Sequence, residues 1–257
     1  MTRLLRMCSL LIVSFAACGG EDPSAGLTPC GVLPQPVIDV STSKELAEAV
    51  KELKRGGTIR LAAGTYEPPV QTFSDPGGAF SSQYANVFLW DTTLIGAGAS
   101  ETEVVLSGSG HGLTSYGKSG ITGLTVTSLG SVGITQAGER LDLCEMTFQA
   151  SADTSAYAVV VNPWDASAVE LQVTGSKLLG QDNLGTGVDL SPCAGAGVTN
   201  ITAKIEGSEI SGWAEGLEYD DNCAALTLDA PCSNFKNNKK NIHDWVAGKD
   251  KCAEGGK

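Results

Sequence analysis

The feature that most constrains this chain is a pair that keeps returning: a small or polar residue followed by an aliphatic one. It occurs at Gly112-Leu113, Gly133-Ile134, Ala158-Val159, Gly187-Val188, Gly216-Leu217 and Asn241-Ile242, so the aliphatic markers step by 21, 25, 29, 29 and 25 residues. Periods in the twenties are the signature of units that cannot bury an apolar side alone and must stack to make a core. Between the markers run further β-prone segments, Ile121 to Val126, Leu141 to Phe148, Val169 to Val173, Val198 to Ile205 and Ala224 to Leu228. Gly-Ser-x-aliphatic recurs at Gly175-Ser176-Lys177-Leu178 and Gly207-Ser208-Glu209-Ile210, and Cys232-Ser233-Asn234-Phe235 echoes it. Each unit then holds two or three short strands with Gly, Asn or Asp at the corners. With the earlier segments Thr58 to Leu61, Val87 to Ile95 and Val104 to Leu106 this predicts about eight coils, ~4.8 Å apart. The rival is a β-sandwich, which needs hairpin turns every ~8–12 residues and no long period.

Ahead of the repeat, Thr42-Ser43-Lys44-Glu45 has the form of a capping box, and Leu46, Ala49, Val50 and Leu53 make one apolar stripe. Gly56-Gly57 ends it, and Thr58-Ile59-Arg60-Leu61-Ala62-Ala63-Gly64-Thr65-Tyr66 follows. A capped helix followed by this run resembles the opening of right-handed parallel β-helix proteins of the pectate-lyase-like superfamily. The resemblance implies an all-β, right-handed parallel β-helix over residues 37–257, with an N-terminal capping α-helix. It rests on motif for the helix and first turn, and on period for the rest.

Residues 1–17 carry Arg3 and Arg6 ahead of a short apolar run from Met7 to Ala17. That run falls short of the ~20 residues of a membrane span and reads as a signal peptide. Phe15-Ala16-Ala17-Cys18 resembles the lipobox of bacterial lipoproteins, with Phe where that family usually has Leu. The resemblance implies a lipidated Cys18 on a flexible tether, residues 18–36. Because Gly19 rather than Asp follows the cysteine, it implies the outer membrane. The membrane is then a partner through the lipid.

The whole chain has 17 Lys plus Arg against 29 Asp plus Glu, a net charge of −12. Such a surface repels nucleic acid. Lys236, Lys239, Lys240, Lys249, Lys251 and Lys257 crowd the C-terminus and read as a solvated end. Of 8 cysteines, six lie beyond Cys18. Exported proteins tolerate bridges. Stacking suggests Cys193 with Cys223, while Cys232 and Cys252 pin the C-terminal tail and Cys144 is a buried free thiol. No Cys-x-x-Cys or His-containing spacing argues for zinc.

The residue after each marker forms a row, Thr114, Thr135, Val160, Asp189, Glu218 and His243, that strand alternation points away from the core. Two carboxylates one coil apart repel, so one pKa should rise. Asp189 and Glu218 are therefore candidate acid/base residues for a sugar substrate. Equally, the pair could take a cation such as Ca²⁺, with Asp220, Asp221 and Asn222 as oxygen ligands, or be plain polar decoration. Pectate lyases pair Ca²⁺ ligands with an Arg base, yet no arginine accompanies Asp189 or Glu218 in the repeat. Of the polygalacturonase motifs, Asp220-Asp221 and Gly110-His111-Gly112 occur in reversed order and two are absent, so Gly110-His111-Gly112 reads as a corner entering a strand. A binding face needs less. Trp164, Trp213, Tyr219 and Trp245 lie in later repeats, where aromatic planes stack on sugars, and Asn162, Ser191 and Asp220 share one alignment position. With His243 these define a candidate surface for a polysaccharide or an envelope protein. The reading is a non-catalytic binding or structural module; the alternative is a carbohydrate-active enzyme using Asp189 and Glu218, with no resident cofactor.

Overall fold

The computed structural model describes residues 34–53, 56–74, 83–107, 111–151, 156–164, 166–191, 197–220, 224–244 and 247–252. The leader, Cys18, Cys193, Cys223, Asp221, Asn222 and Trp245 lie outside them.

Three long sheets contain nearly all the strands. The first joins Val37–Val40, Gly57–Leu61, Thr92–Ile95, Lys118–Thr122, Arg140–Cys144, Ala168–Thr174, Asn200–Glu206 and Ala225–Asp229. The second joins Gly64–Tyr66, Thr102–Leu106, Thr125–Ser128, Thr147–Ala150, Lys177–Leu179, Glu209–Ser211 and Phe235–Lys236. The third joins Val87–Trp90, His111–Tyr116, Val132–Gln136, Tyr157–Val161, Thr186–Leu190, Glu215–Tyr219 and Lys240–Asp244, with Lys249–Asp250 added at its end. From the third sheet onward the chain visits first, second and third in turn, and each strand pairs with the strand one lap earlier. All pairings within the three sheets are parallel except that of Lys249–Asp250. Parallel neighbours a lap apart exclude the sandwich and are compatible with a β-helix.

The repeat markers keep their register. Leu113 pairs with Ile134, Ile134 with Val159, Val159 with Val188, Val188 with Leu217 and Leu217 with Ile242. All six are buried in one apolar core. On the first sheet Ile59, Leu94, Ile121, Leu143, Val173 and Ile205 make a second inward row in unbroken register.

The segments read as single strands break at corners. Ile121 to Val126 splits at Gly123 (φ 62°), Leu141 to Phe148 at Glu145 (φ 50°) and Val87 to Ile95 at Asp91 (φ 49°). A left-handed residue turns the chain from one sheet to the next without a loop. Glycine reaches that conformation freely, and Glu145 holds it against a steric cost. The corners stack: Gly123, Glu145 and Gly175 donate their amides to Cys144, Thr174 and Glu206 carbonyls. Inside these corners the two serines of the Gly-Ser motif build a ladder. Ser176 Oγ donates to the carbonyls of Leu143 and Thr174, and Ser208 Oγ to those of Val173 and Glu206. On the next lap the role passes to Asn234, whose Nδ2 donates to Ile205 O at 2.8 Å, rather than to Ser233.

The helix spans Ser43–Glu52 and opens with the expected box, Thr42 Oγ1 accepting from Glu45 N and Glu45 reaching back to Thr42 N. Its buried stripe, Leu46, Ala47, Ala49 and Val50, packs on the first strands of all three sheets. No helix among the described residues is long and apolar enough to cross a membrane.

At the far end a Cys232–Cys252 disulfide closes the tail. Cys144 is not a free thiol; it is disulfide-bonded. Nor is the lysine-rich end simply solvated. Lys236 Nζ meets Glu209 at 3.3 Å, Lys240 Nζ meets Glu215 at 3.4 Å, and Lys251 Nζ sits 4.4 Å from the centre of the Tyr219 ring.

Candidate functional site

The row of the third sheet forms as the period requires. Thr114 pairs with Thr135, Thr135 with Val160, Val160 with Asp189, Asp189 with Glu218 and Glu218 with His243. Phe88 extends it one lap earlier. It is not open decoration, however. Thr114, Thr135, Glu218 and His243 are buried, and Asp189 is half-buried. At the early end Phe73 of a small antiparallel hairpin (Gln71–Phe73 with Gln83–Ala85) stacks on Phe88 at 5.1 Å. Trp164 stacks on Phe88 at 6.3 Å and lies 5.8 Å from Tyr116. At the late end Lys249–Asp250 pairs antiparallel with His243 and Asp244, and the Asp250 carboxylate accepts from the Asn241, Ile242 and Cys252 amides.

Glu215 and Lys240 join the row's charged end. They lie two residues before a marker, one lap apart and in register, with Tyr157 and Thr186 earlier in the same row. Residues three apart on a flat strand face opposite ways. Here Glu215 and Glu218 meet because the strand bends between them. Leu217 is in the core, and a Cβ on Gly216 would lie 2.7 Å from the core ring of Phe235, so both intervening residues face inward.

The resulting cluster is dense. Glu215 Oε1 is 2.8 Å from His243 Nδ1 and 3.4 Å from Lys240 Nζ, and Lys240 Nζ is 3.0 Å from His243 Nε2. The Glu218 carboxyl hydrogen-bonds to Glu215. Burial alone would raise the Glu215 carboxyl; its bond to Glu218 and the charges of His243 and Lys240 outweigh that and hold it below the usual range. Asp189 is pushed up, first by burial and then by the Glu215 charge, against the pull of Ser191, whose amide donates to Asp189 Oδ1 at 2.8 Å. A carboxyl of the row does rise, chiefly through desolvation, with Glu215 rather than Glu218 as the charge that adds to it. The Tyr157 phenol is raised by burial and by Glu218, Asp189 and Glu215.

One atom each from Glu215, Glu218 and His243 lies within 4.8 Å of the others, a spacing open to a metal ion. Of the proposed Ca²⁺ set, Asp220 ends the Glu215–Tyr219 strand and the other two residues lie outside the described ones.

The proposed aromatic and amide contacts divide. Tyr219 is 1% exposed and lies in the inward row, and Trp213 is 0% exposed with Nε1 donating to Leu178 O at 3.0 Å. Neither presents a ring to solvent. Trp164 is half-buried in the aromatic group on the early coils. Asn162, Ser191 and Asp220 each follow their strand directly and are half-buried.

The more open polar face belongs to the first sheet, which sequence reasoning passed over. Lys118, Arg140, Glu170, Thr202 and Thr227 form one in-register row, and Asp142, Gln172, Lys204 and Asp229 another. Arg140 ties the rows together through Asp142 (2.9 Å), Glu170 (3.0 Å) and Gln172 (3.1 Å). Burial raises the Asp142 carboxyl against the pull of Arg140. A groove of about 560 Å³ opens here, lined by Lys118, Glu139, Arg140, Glu170 and Thr202 among others. The signal was available: Arg140, Glu170, Thr202 and Thr227 sit at one phase of the same period.

Comparison with protein-family models, curated proteins and solved structures finds no match for this chain.

Proposed function

We propose that this chain is a lipoprotein of the bacterial envelope, anchored to the outer membrane through Cys18, whose right-handed parallel β-helix serves as a non-catalytic binding module for polysaccharide. In this reading the helix Ser43–Glu52 caps the first coil, as in pectate-lyase-like proteins, and Cys193 bridges Cys223. Right-handed winding is the usual sense for strands joined by parallel crossovers.

The observation that carries the binding reading is the outer face of the first sheet. Its alternating cationic, anionic, amide and hydroxyl side chains repeat at the spacing of stacked strands, ~4.8 Å. A flat ladder of donors and acceptors suits an extended, hydroxyl-rich polymer, and the net charge of −12 favours a neutral glycan over an acidic one. An envelope protein is the other occupant of the same face.

The test is retention of the purified protein on immobilised neutral and acidic polysaccharides. Retention is expected to fall at least about tenfold for Arg140→Ala combined with Gln172→Ala, because several hydrogen bonds are lost together. It should be unchanged for Glu218→Gln. Absence of retention on every polymer removes the glycan reading.

A second reading, a polysaccharide lyase or glycoside hydrolase on the third sheet, is favoured by one observation. The Asp189 carboxyl is pushed up while neighbouring Glu215 is held down, the split an acid/base pair needs. Release of reducing or unsaturated sugar ends, with and without Ca²⁺, lost on Asp189→Ala and Glu218→Ala, would establish it.

A further inference from the structure

The cluster of Glu215, Glu218 and His243 is hard to account for as decoration. One atom each of its two carboxyls and its imidazole lie within 4.8 Å of one another, on two neighbouring strands. Glu218 and His243 are 6% and 4% exposed, so water does little to separate the charges. The position a cation would take is filled from the side by an ammonium, Lys240 Nζ, 3.0 Å from His243 Nε2 and 3.4 Å from Glu215 Oε1. The lysine side chain is 43% exposed and can swing into solvent, whereas the three potential ligands are fixed on adjacent strands.

We propose that Glu215, Glu218 and His243 form a binding site for a borderline divalent transition ion of the Zn²⁺ class, entered by displacement of Lys240. One imidazole nitrogen and two carboxylate oxygens match that class. Ca²⁺ is disfavoured, because it seeks six to eight oxygens and no nitrogen. Around a tetrahedral ion with ligand bonds of ~2.1 Å, donor atoms sit ~3.4 Å apart. The three atoms already lie within 4.8 Å of one another, so side-chain rotation closes the site. Three protein ligands leave one position open to solvent or a small anion. On binding, the Lys240 ammonium moves out. No Cys-x-x-Cys spacing could have announced this site, since its ligands come from two strands a lap apart.

The test uses the full-length protein in detergent and Zn²⁺ alone, read by binding isotherm and by the thermal midpoint. One Zn²⁺ per chain is expected, with a raised midpoint. Lys240→Met should bind at least tenfold more tightly, because the competing ammonium is gone. His243→Gln and Glu215→Gln should bind at least a hundredfold more weakly. Millimolar Ca²⁺ should leave the isotherm in place. Should either glutamine variant fail to fold, Lys240→Met still decides the matter, since it alters a half-exposed side chain. No saturable binding in the parent and in Lys240→Met overturns the proposal, as does one-to-one binding that all three substitutions leave unchanged, or displacement of Zn²⁺ by Ca²⁺.

Discussion

The outer faces of the first and third sheets are built by the same winding and have opposite fates. Both carry acids and bases in straight rows, one residue per lap. On the first sheet the late rows stay open: Thr202, Lys204, Glu206, Thr227 and Asp229 are exposed. On the third sheet Glu218 and His243 are buried, and elements outside the repeat pack along both ends of the row. In water a pair such as Lys204 and Glu206, at 2.8 Å, contributes little. In the covered row the same groups must satisfy one another, which forces Glu215, Glu218, His243 and Lys240 into one hydrogen-bonded unit. Period alone thus makes rows; what lies over a row decides whether it is a surface or a site.

That contrast can be broken most forcefully at the tail. Cys232→Ser with Cys252→Ser removes a bridge across 20 residues. It is expected to lower unfolding free energy by about 3 kcal/mol in urea melts. His243→Ala comes next, at about 2 kcal/mol, from lost packing and from leaving Glu215 short of a buried partner. A loss near zero would mean the covered row is as solvated as the open one. Asp189→Asn should reverse the sign. The native state holds the Asp189 proton more tightly than the unfolded chain, so this residue favours folding below about pH 4 and opposes it as pH rises through the raised native value. The asparagine variant should therefore be the more stable protein at pH 7, with the difference closing by about pH 3 in paired melts. Smallest of all, Thr202→Ala or Gln172→Ala on the open face should shift stability by no more than about 0.5 kcal/mol.

Much of the winding was legible because buried aliphatics in a stacked repeat must recur at one phase. Leu113 to Ile242 did so despite unequal steps, since loops absorb the surplus residues. The Asp189, Glu218 and His243 row followed from the same phase. Glu215 and Lys240 did not, because flat-strand alternation places them on the other side, and the bend at Gly216 is what brings Glu215 round. Burial of the row was not legible either. It depends on Phe73, Trp164 and the Lys249–Asp250 strand, none of which carries the repeat. Tyr219 shows the same limit: an aromatic next to an outward acid looked like a contact for sugar, but its position in the strand is an inward one.

In-register winding itself is tested most directly by engineered disulfides on the open face. Thr202 and Thr227 are 25 residues apart, exposed and paired, whereas Asp229 pairs with Lys204. Cysteines at 202 and 227 should be within the ~4.4–6.8 Å that a bridge spans, and cysteines at 202 and 229 about 8 Å apart, beyond it. Under mild oxidation, peptide mapping should find the 202–227 link in nearly every molecule and the 202–229 link in almost none. Linking of the shifted pair, or silence from the matched one, would contradict the stacked parallel coils on which every row described above depends.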